Sequence, residues 1–184
     1  MATTSTIKVE RSARIVSPKG RASYPTLFTA RAFNESSDPK FSITLMVQKN
    51  AEGKDYIEKL TEARNTTIKA LIGAKKPGNL ELWGINDGDE SDDPDMHGHY
   101  LVKASSKTRP AAVDLDKVAI EDEDTIYGGC FVRVSLCAKA YGTPAKCGCA
   151  LELVAVQKVA EGDPFSASAK AKIAAVSEFD SAEF

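Results

Sequence analysis

Between Gly128 and Gly142 the chain alternates without a break. Cys130, Val132, Val134, Leu136, Ala138 and Ala140 fall on one side and are all apolar. Phe131, Arg133, Ser135, Cys137, Lys139 and Tyr141 fall on the other, an aromatic at each end and two cations between. Alternation of period two marks a strand with one face buried. The same rule predicts a first strand over 6–16, with Ile7, Val9, Ala13 and Ile15 sharing a face broken by Arg11. It predicts a second over Tyr24–Phe33, where Pro25 suits an edge or a strand start. A third covers Phe41–Gln48, with Phe41, Ile43, Leu45 and Val47 on one face. His99–Lys107 is a further strand. Cys149–Val159 is apolar on both faces, which places it at the centre of the sheet.

Over residues 52–72 the period changes. Tyr56, Ile57, Leu60, Ala63, Ile68, Leu71 and Ile72 form a stripe at helical spacing, with Glu58, Lys59, Glu62, Arg64 and Lys69 opposite. Gly73 is placed to cap this helix, and Lys75–Gly78 ends it. The polar face mixes both signs of charge, so the stripe is expected against the sheet and not on a membrane. A short strand then leads into a long acidic loop that ends near residue 99, and 111–125 reads as connection. The expected class is mainly β with one inserted helix, an α+β arrangement. One domain over 1–160 is expected, with a flexible tail over 161–184. A chain of 184 residues buries about 70% of its unfolded surface without a metal or disulfide staple.

The net charge of −2 conceals a strong segregation. Residues 87–95 hold six acids and no base, 114–124 six acids and one base, and 173–184 three acids and no base. The remainder carries 11 acids and 23 bases, a net of +12. A basic surface hidden behind an acidic pI is compatible with nucleic acid as a partner. No apolar run approaches the roughly 20 residues of a membrane span, and the start lacks an apolar signal core. The expectation is a cytoplasmic protein with four reduced cysteines and no membrane partner.

Metal chemistry finds little support. Counted from Asp87, a calcium loop requires Gly sixth and Glu twelfth, where the chain has Asp92 and Gly98. The cysteines at 130, 137, 147 and 149 do not form two close C-x2-4-C pairs, even with His97 and His99 nearby. Cys130 is expected to point inward and Cys137 outward. No phosphate-cradling loop or nucleophile–base pair stands out. A metal-dependent nuclease using Asp87, Asp89 and Glu90 is the enzymatic alternative, and a self-associating structural protein is another.

Three stretches carry a family likeness: KFSITLMVQK, the block LWGINDGDE…HYLVKASSKTRP, and YGGCFVRVSLCAKAY followed by ALELVAVQKV. With the acidic tail ending in phenylalanine, they resemble phage-encoded single-stranded DNA-binding proteins of the OB-fold type. That resemblance implies a five-stranded closed or partly closed barrel that protects single strands during phage replication or recombination. Neither catalysis nor a cofactor or metal is expected. In such a protein Phe131, Tyr141, Trp83 and Tyr100 would stack on bases, and Lys103, Lys107, Arg109, Arg133 and Lys139 would meet phosphates. The tail residues Glu178, Phe179, Asp180, Glu183 and Phe184 would recruit replication proteins such as the polymerase. Site size, DNA against RNA preference, homo-oligomerisation and the role of the 87–95 loop are left open by the sequence.

Overall fold

The computed structural model describes residues 7–166. In chain order the strands are β1 (Lys8–Arg11), β2 (Ile15–Val16), β3 (Gly20–Arg31), β4 (Lys40–Gln48), β5 (Asn79–Leu82), β6 (Ile85–Asp87), β7 (His99–Ser106), β8 (Ala111–Val113), β9 (Phe131–Gly142) and β10 (Lys146–Ala160). Helix α1 (Ala51–Ile72) lies between β4 and β5. Mainly β with one helix is therefore the observed class.

The strand pairings close on themselves. β3 pairs with β4, β4 with β7, and β10 with β9, all antiparallel, while β9 returns to β3 through Gly20↔Val132 and Arg21↔Phe131. The remaining step, β7 to β10, is parallel, through Glu152↔Ser105. Inside this ring lie the residues whose alternation predicted them: Ile43, Leu45 and Val47 from β4, and Val132, Val134 and Leu136 from β9, none more than 1% exposed. β10 pairs with β5, β7, β8 and β9, the central position its two apolar faces require.

Helix α1 covers the ring with its first half and the β9–β10 hairpin with its second. Tyr56 and Leu60 enter the main core, whereas Ile68, Leu71 and Ile72 pack on Ala138, Ala140, Cys147 and Cys149. The small side chains on the hairpin let the helix approach closely. Asn50 caps the helix by accepting from the Gly53 N–H at 2.8 Å, and Gly73 ends it at φ 70°. The Asn50 cap went unread in the sequence.

Four expectations need correction. The stretch 6–16 is not one core strand but the two short strands β1 and β2, with Ile7 67% and Val9 41% exposed. Ser12 and Ser17 break it by turning their hydroxyls to the Ala138 and Val134 N–H groups of β9, both at 2.9 Å. The second strand begins at Gly20 and ends at Arg31, leaving Phe33 outside it. Within it Tyr24 takes φ 46°, and the register shifts between Ser23 and Thr26, so Tyr24–Pro25 is a bulge and not a strand end. The acidic loop that follows β5 contains β6 and two short 3-10 turns, Gly88–Glu90 and Pro94–Met96, and the connection over 111–125 contains β8. Finally, residues 161–166 are fastened to the domain. The Tyr127 hydroxyl donates to Glu161 Oε2 at 2.6 Å, Arg21 Nη2 donates to the Asp163 carbonyl at 2.5 Å, and the Phe165 N–H donates to the Gly128 carbonyl at 2.9 Å.

Candidate nucleic-acid interface

The hairpin end of β9 and β10 forms a small sheet flanked by β1 and β5. Val9 pairs with Tyr141, Tyr141 with Gly148, and Gly148 with Glu81. Paired residues share a side, so these four lie on the face turned away from α1. A Cβ on Gly148 would stand 2.7 Å from Tyr141 Cζ and 2.8 Å from its hydroxyl oxygen. Only glycine lets the phenol ring lie flat on the strand, with its second face turned outward. Burial pushes the Tyr141 phenol up, and the neighbouring Trp83 indole N–H opposes that rise. Trp83 is 55% exposed beside it. One aromatic lying flat and a second alongside make a surface on which bases can stack.

From Trp83 the surface continues across Gly84, whose carbonyl accepts from the Lys103 N–H at 2.7 Å. The Lys103 ammonium lies 5.7 Å from the centre of the Phe33 ring, itself 89% exposed. Tyr141, Trp83 and Lys103 are thus brought into one path, with Lys139 two residues before Tyr141 on the same face of β9. The sequence reading missed Phe33. Its signal was a large aromatic heading the polar turn run Asn34–Pro39.

The other expected residues lie elsewhere. Phe131 is ten residues from Tyr141, about 33 Å along an extended strand, and its ring faces Lys19 at 5.2 Å and Arg21 at 5.8 Å. Tyr100 does not join the outer surface. Its alternation turns it inward, where it packs on the core with Lys49 5.4 Å from its ring. Lys107 pairs with Asp38 at 2.6 Å and Arg109 with Glu121 at 3.1 Å, while Arg133 Nε donates to the Ser17 carbonyl at 3.1 Å. Exposed pairs of this kind contribute little to stability, so exchanging a carboxylate for a phosphate costs little. The expected tail residues Glu178, Phe179, Asp180, Glu183 and Phe184 lie outside the described residues.

Lys139 belongs to a network. Its ammonium is 2.9 Å from Glu152 Oε1, and the Arg11 guanidinium donates to both Glu152 oxygens. Arg11 and Lys139 hold the Glu152 carboxyl at about 2, well below its ordinary value. Cys137, expected to face outward, is buried beneath this network with Sγ 3.8 Å from Glu152 Oε2. A carboxyl lowered in the fold stabilises at neutral pH, and that contribution is lost as pH falls from about 4.5 to about 2. Glu152→Gln should therefore lower the melting temperature at pH 7, and the gap to the parent should close between pH 5 and pH 2. A gap independent of pH in thermal melts would show that the charge is irrelevant.

The acidic loop is folded by its own charges. Lys49 Nζ sits between the Asp87 and Asp89 carboxylates, and Asp89 Oδ1 also accepts from the Gly98 N–H at 2.6 Å. Lys49 holds the Asp87 carboxyl below its usual range, as the Gly98 N–H and then Lys49 do for Asp89. An ammonium thus stands where a nuclease reading needs a metal ion. Among the described residues, no three His, Cys, Asp or Glu side chains are grouped to hold one. Cys149, pushed up to about 11 by burial, is a protonated thiol at neutral pH. Among the described residues, no helix is long and apolar enough to cross a membrane.

A ring of strands carrying an exposed aromatic and cationic path defines a class of nucleic-acid-binding domain, and comparison with known proteins narrows it. The sequence profile described as "Enterobacter phage Enc34, ssDNA-binding protein" matches residues 13–184, and the chain belongs to that family. The single-stranded DNA-binding protein of bacteriophage Enc34, solved in complex with ssDNA, is 25% identical, with a TM-score of 0.71 over 83% of this chain and 89% of that one. The putative protein p50 of Acyrthosiphon pisum secondary endosymbiont phage 1 is 26% identical over 87% of this chain and 89% of its own length. The single-stranded DNA-binding protein gp2.5 of bacteriophage T7 shares the fold at 16% identity, with a TM-score of 0.57 over 84% of this chain and 96% of that one.

Proposed function

We propose that this chain is a non-catalytic single-stranded DNA-binding protein that coats exposed strands during phage replication or recombination. The observation that carries the reading is the Tyr141 ring lying flat on Gly148, with Trp83 beside it and Lys103 and Lys139 flanking. Membership of the Enc34 family supports it. The ring β3–β4–β7–β10–β9, with its parallel β7–β10 step, supports an OB-type barrel, in which the second and third strands and adjoining loops receive oligonucleotides. Here those strands are β4 and β7, which bear Lys103. Tyr141, Trp83 and Phe33 stack bases. Lys103 and Lys139 meet phosphates directly, while Lys107, Arg109 and Arg133 extend the cationic margin. Phe131 serves the far end.

Fluorescence anisotropy with single-stranded DNA, duplex and RNA of equal length at two salt concentrations tests this. Single strands should bind more tightly than duplex, and affinity should fall steeply with salt as phosphate-bound counterions are released. Equal duplex binding, or no salt dependence, would count against it.

The tail belongs to the same proposal. Phe165 is stacked 4.3 Å from the Arg21 guanidinium, so the chain beyond it starts from the cationic margin. A flexible chain of about 19 residues reaches on the order of 24 Å, which lets acidic residues compete with DNA for cations. Removing 177–184 should raise single-strand affinity, most at low salt where screening is weakest. Removing Phe184 alone should leave DNA binding unchanged and abolish binding to the phage polymerase, since terminal groups are commonly captured in pockets. Coincident DNA titrations of full-length and truncated protein at both salts would show an inert tail.

A further inference from the structure

At the opposite end of the outer face from Tyr141, the acidic loop together with β3 and β4 forms a half-open cavity of about 360 Å³. Met46 lines it at 1% exposure, held in register between Arg21 and Leu101. Tyr24, Met96 and Phe165 also line it, together with Asp93 and Asp95. Each comes from a different departure from regular structure. Tyr24 is turned out by the bulge at φ 46°, Met96 and Asp95 stand on the 3-10 turn Pro94–Met96, and Phe165 is fastened through Gly128. The size lies near the lower end of small-ligand pockets, about 300–1,000 Å³.

We propose that this cavity is a single-base subsite that prefers bases bearing an exocyclic amino group over thymine; the inference rests on the single-strand reading above. Two aromatic rings and two thioethers suit a flat aromatic guest. Two carboxylates repel a phosphate but accept hydrogen bonds, and they can only accept. Cytosine N4, adenine N6 and guanine N2 are amino donors to such groups, whereas the one edge donor of thymine, N3–H, is flanked by two carbonyl oxygens that a carboxylate repels. The cations needed for the attached phosphate stand just outside, Arg21 4.3 Å from the Phe165 ring and Lys19 5.2 Å from Phe131. The acidic rim disfavours the chain's own acidic end as occupant. This site also assigns a task to the 87–95 loop: the Lys49 clamp on Asp87 and Asp89 fixes the segment from which Asp93, Asp95 and Met96 project.

The preference involves one nucleotide per protein, so it is compatible with binding that is otherwise tolerant of sequence. It is tested by anisotropy with an oligothymidylate of about 20 nucleotides and the same oligomer carrying one central cytosine. The wild-type chain should bind the cytosine oligomer roughly fivefold to tenfold more tightly, the low end of what one base-edge contact discriminates. In Asp95→Ala that ratio should approach one, with binding to the thymidylate unchanged or slightly tighter because a negative charge has gone. Asp95 is exposed, and its recorded bond in the turn uses its N–H, donated to Asp93 Oδ1 at 3.0 Å, so the turn survives the substitution. Equal binding of the two oligomers by the wild-type chain, or a ratio that persists in Asp95→Ala, overturns the subsite and leaves the single-strand reading intact. Failure of both oligomers to bind overturns both.

Discussion

Tyr141→Ala should weaken single-stranded DNA binding by roughly 1–3 kcal/mol, the range for a lost base stack, and Trp83→Ala should do the same. Both side chains lie on the outer face of the hairpin sheet, with Trp83 55% exposed and Tyr141 resting on Gly148. Neither belongs to the buried core, so melting temperature should move little. The two rings are neighbours, and their effects should not add: the double variant should lose less than the sum. Phe131→Ala, at the far end of β9, should be additive with either. Anisotropy titrations of the three single and three double variants decide the matter. Full affinity in Trp83→Ala and Tyr141→Ala together would remove the platform from the binding site.

Leu136→Ala should destabilise the protein by about 2–5 kcal/mol, the cost of a cavity in a packed core. Leu136 lies on the same strand as Tyr141 but on the inner face, at 0% exposure. It is also where β2 pairs, through Ile15↔Leu136, so collapse of the surroundings is restricted on two sides. Denaturant unfolding should show a lower midpoint with an unchanged slope, and the folded fraction should bind DNA with parental affinity. Loss of binding at full stability would invert the assignment of the two faces of β9.

These two variants probe what alternation made legible. On β9 every inward residue is buried because a side-chain period of two leaves a strand no other way to separate apolar from polar groups. The helix and its glycine end were legible for a similar reason, since a 3.6-residue stripe followed by Gly73 is a local pattern. The strand over 6–16 was misread because its alternation was genuine but weak. Two serines that bond the β9 backbone outweigh Ile7 and Val9, which are left exposed.

The proposed site was only half legible. Tyr141, Trp83, Lys103 and Lys139 were recognisable by residue type, and the first two meet only because β5 and β9 both flank β10. Tyr24 and Phe33 read as the ends of one strand, Met96 as loop and Phe165 as tail, and nothing local announces that Tyr24, Met96 and Phe165 line one cavity. The role of the acidic loop stayed open in the sequence because Lys49, 38 residues before Asp87, is invisible as its partner until β4 and β6 are aligned on β7. By itself the sequence determined the inner and outer faces of the main strands, the helix, the segregation of charge and the family. Only the tertiary structure decided which outer residues stand together, because that depends on pairings between strands far apart in the chain.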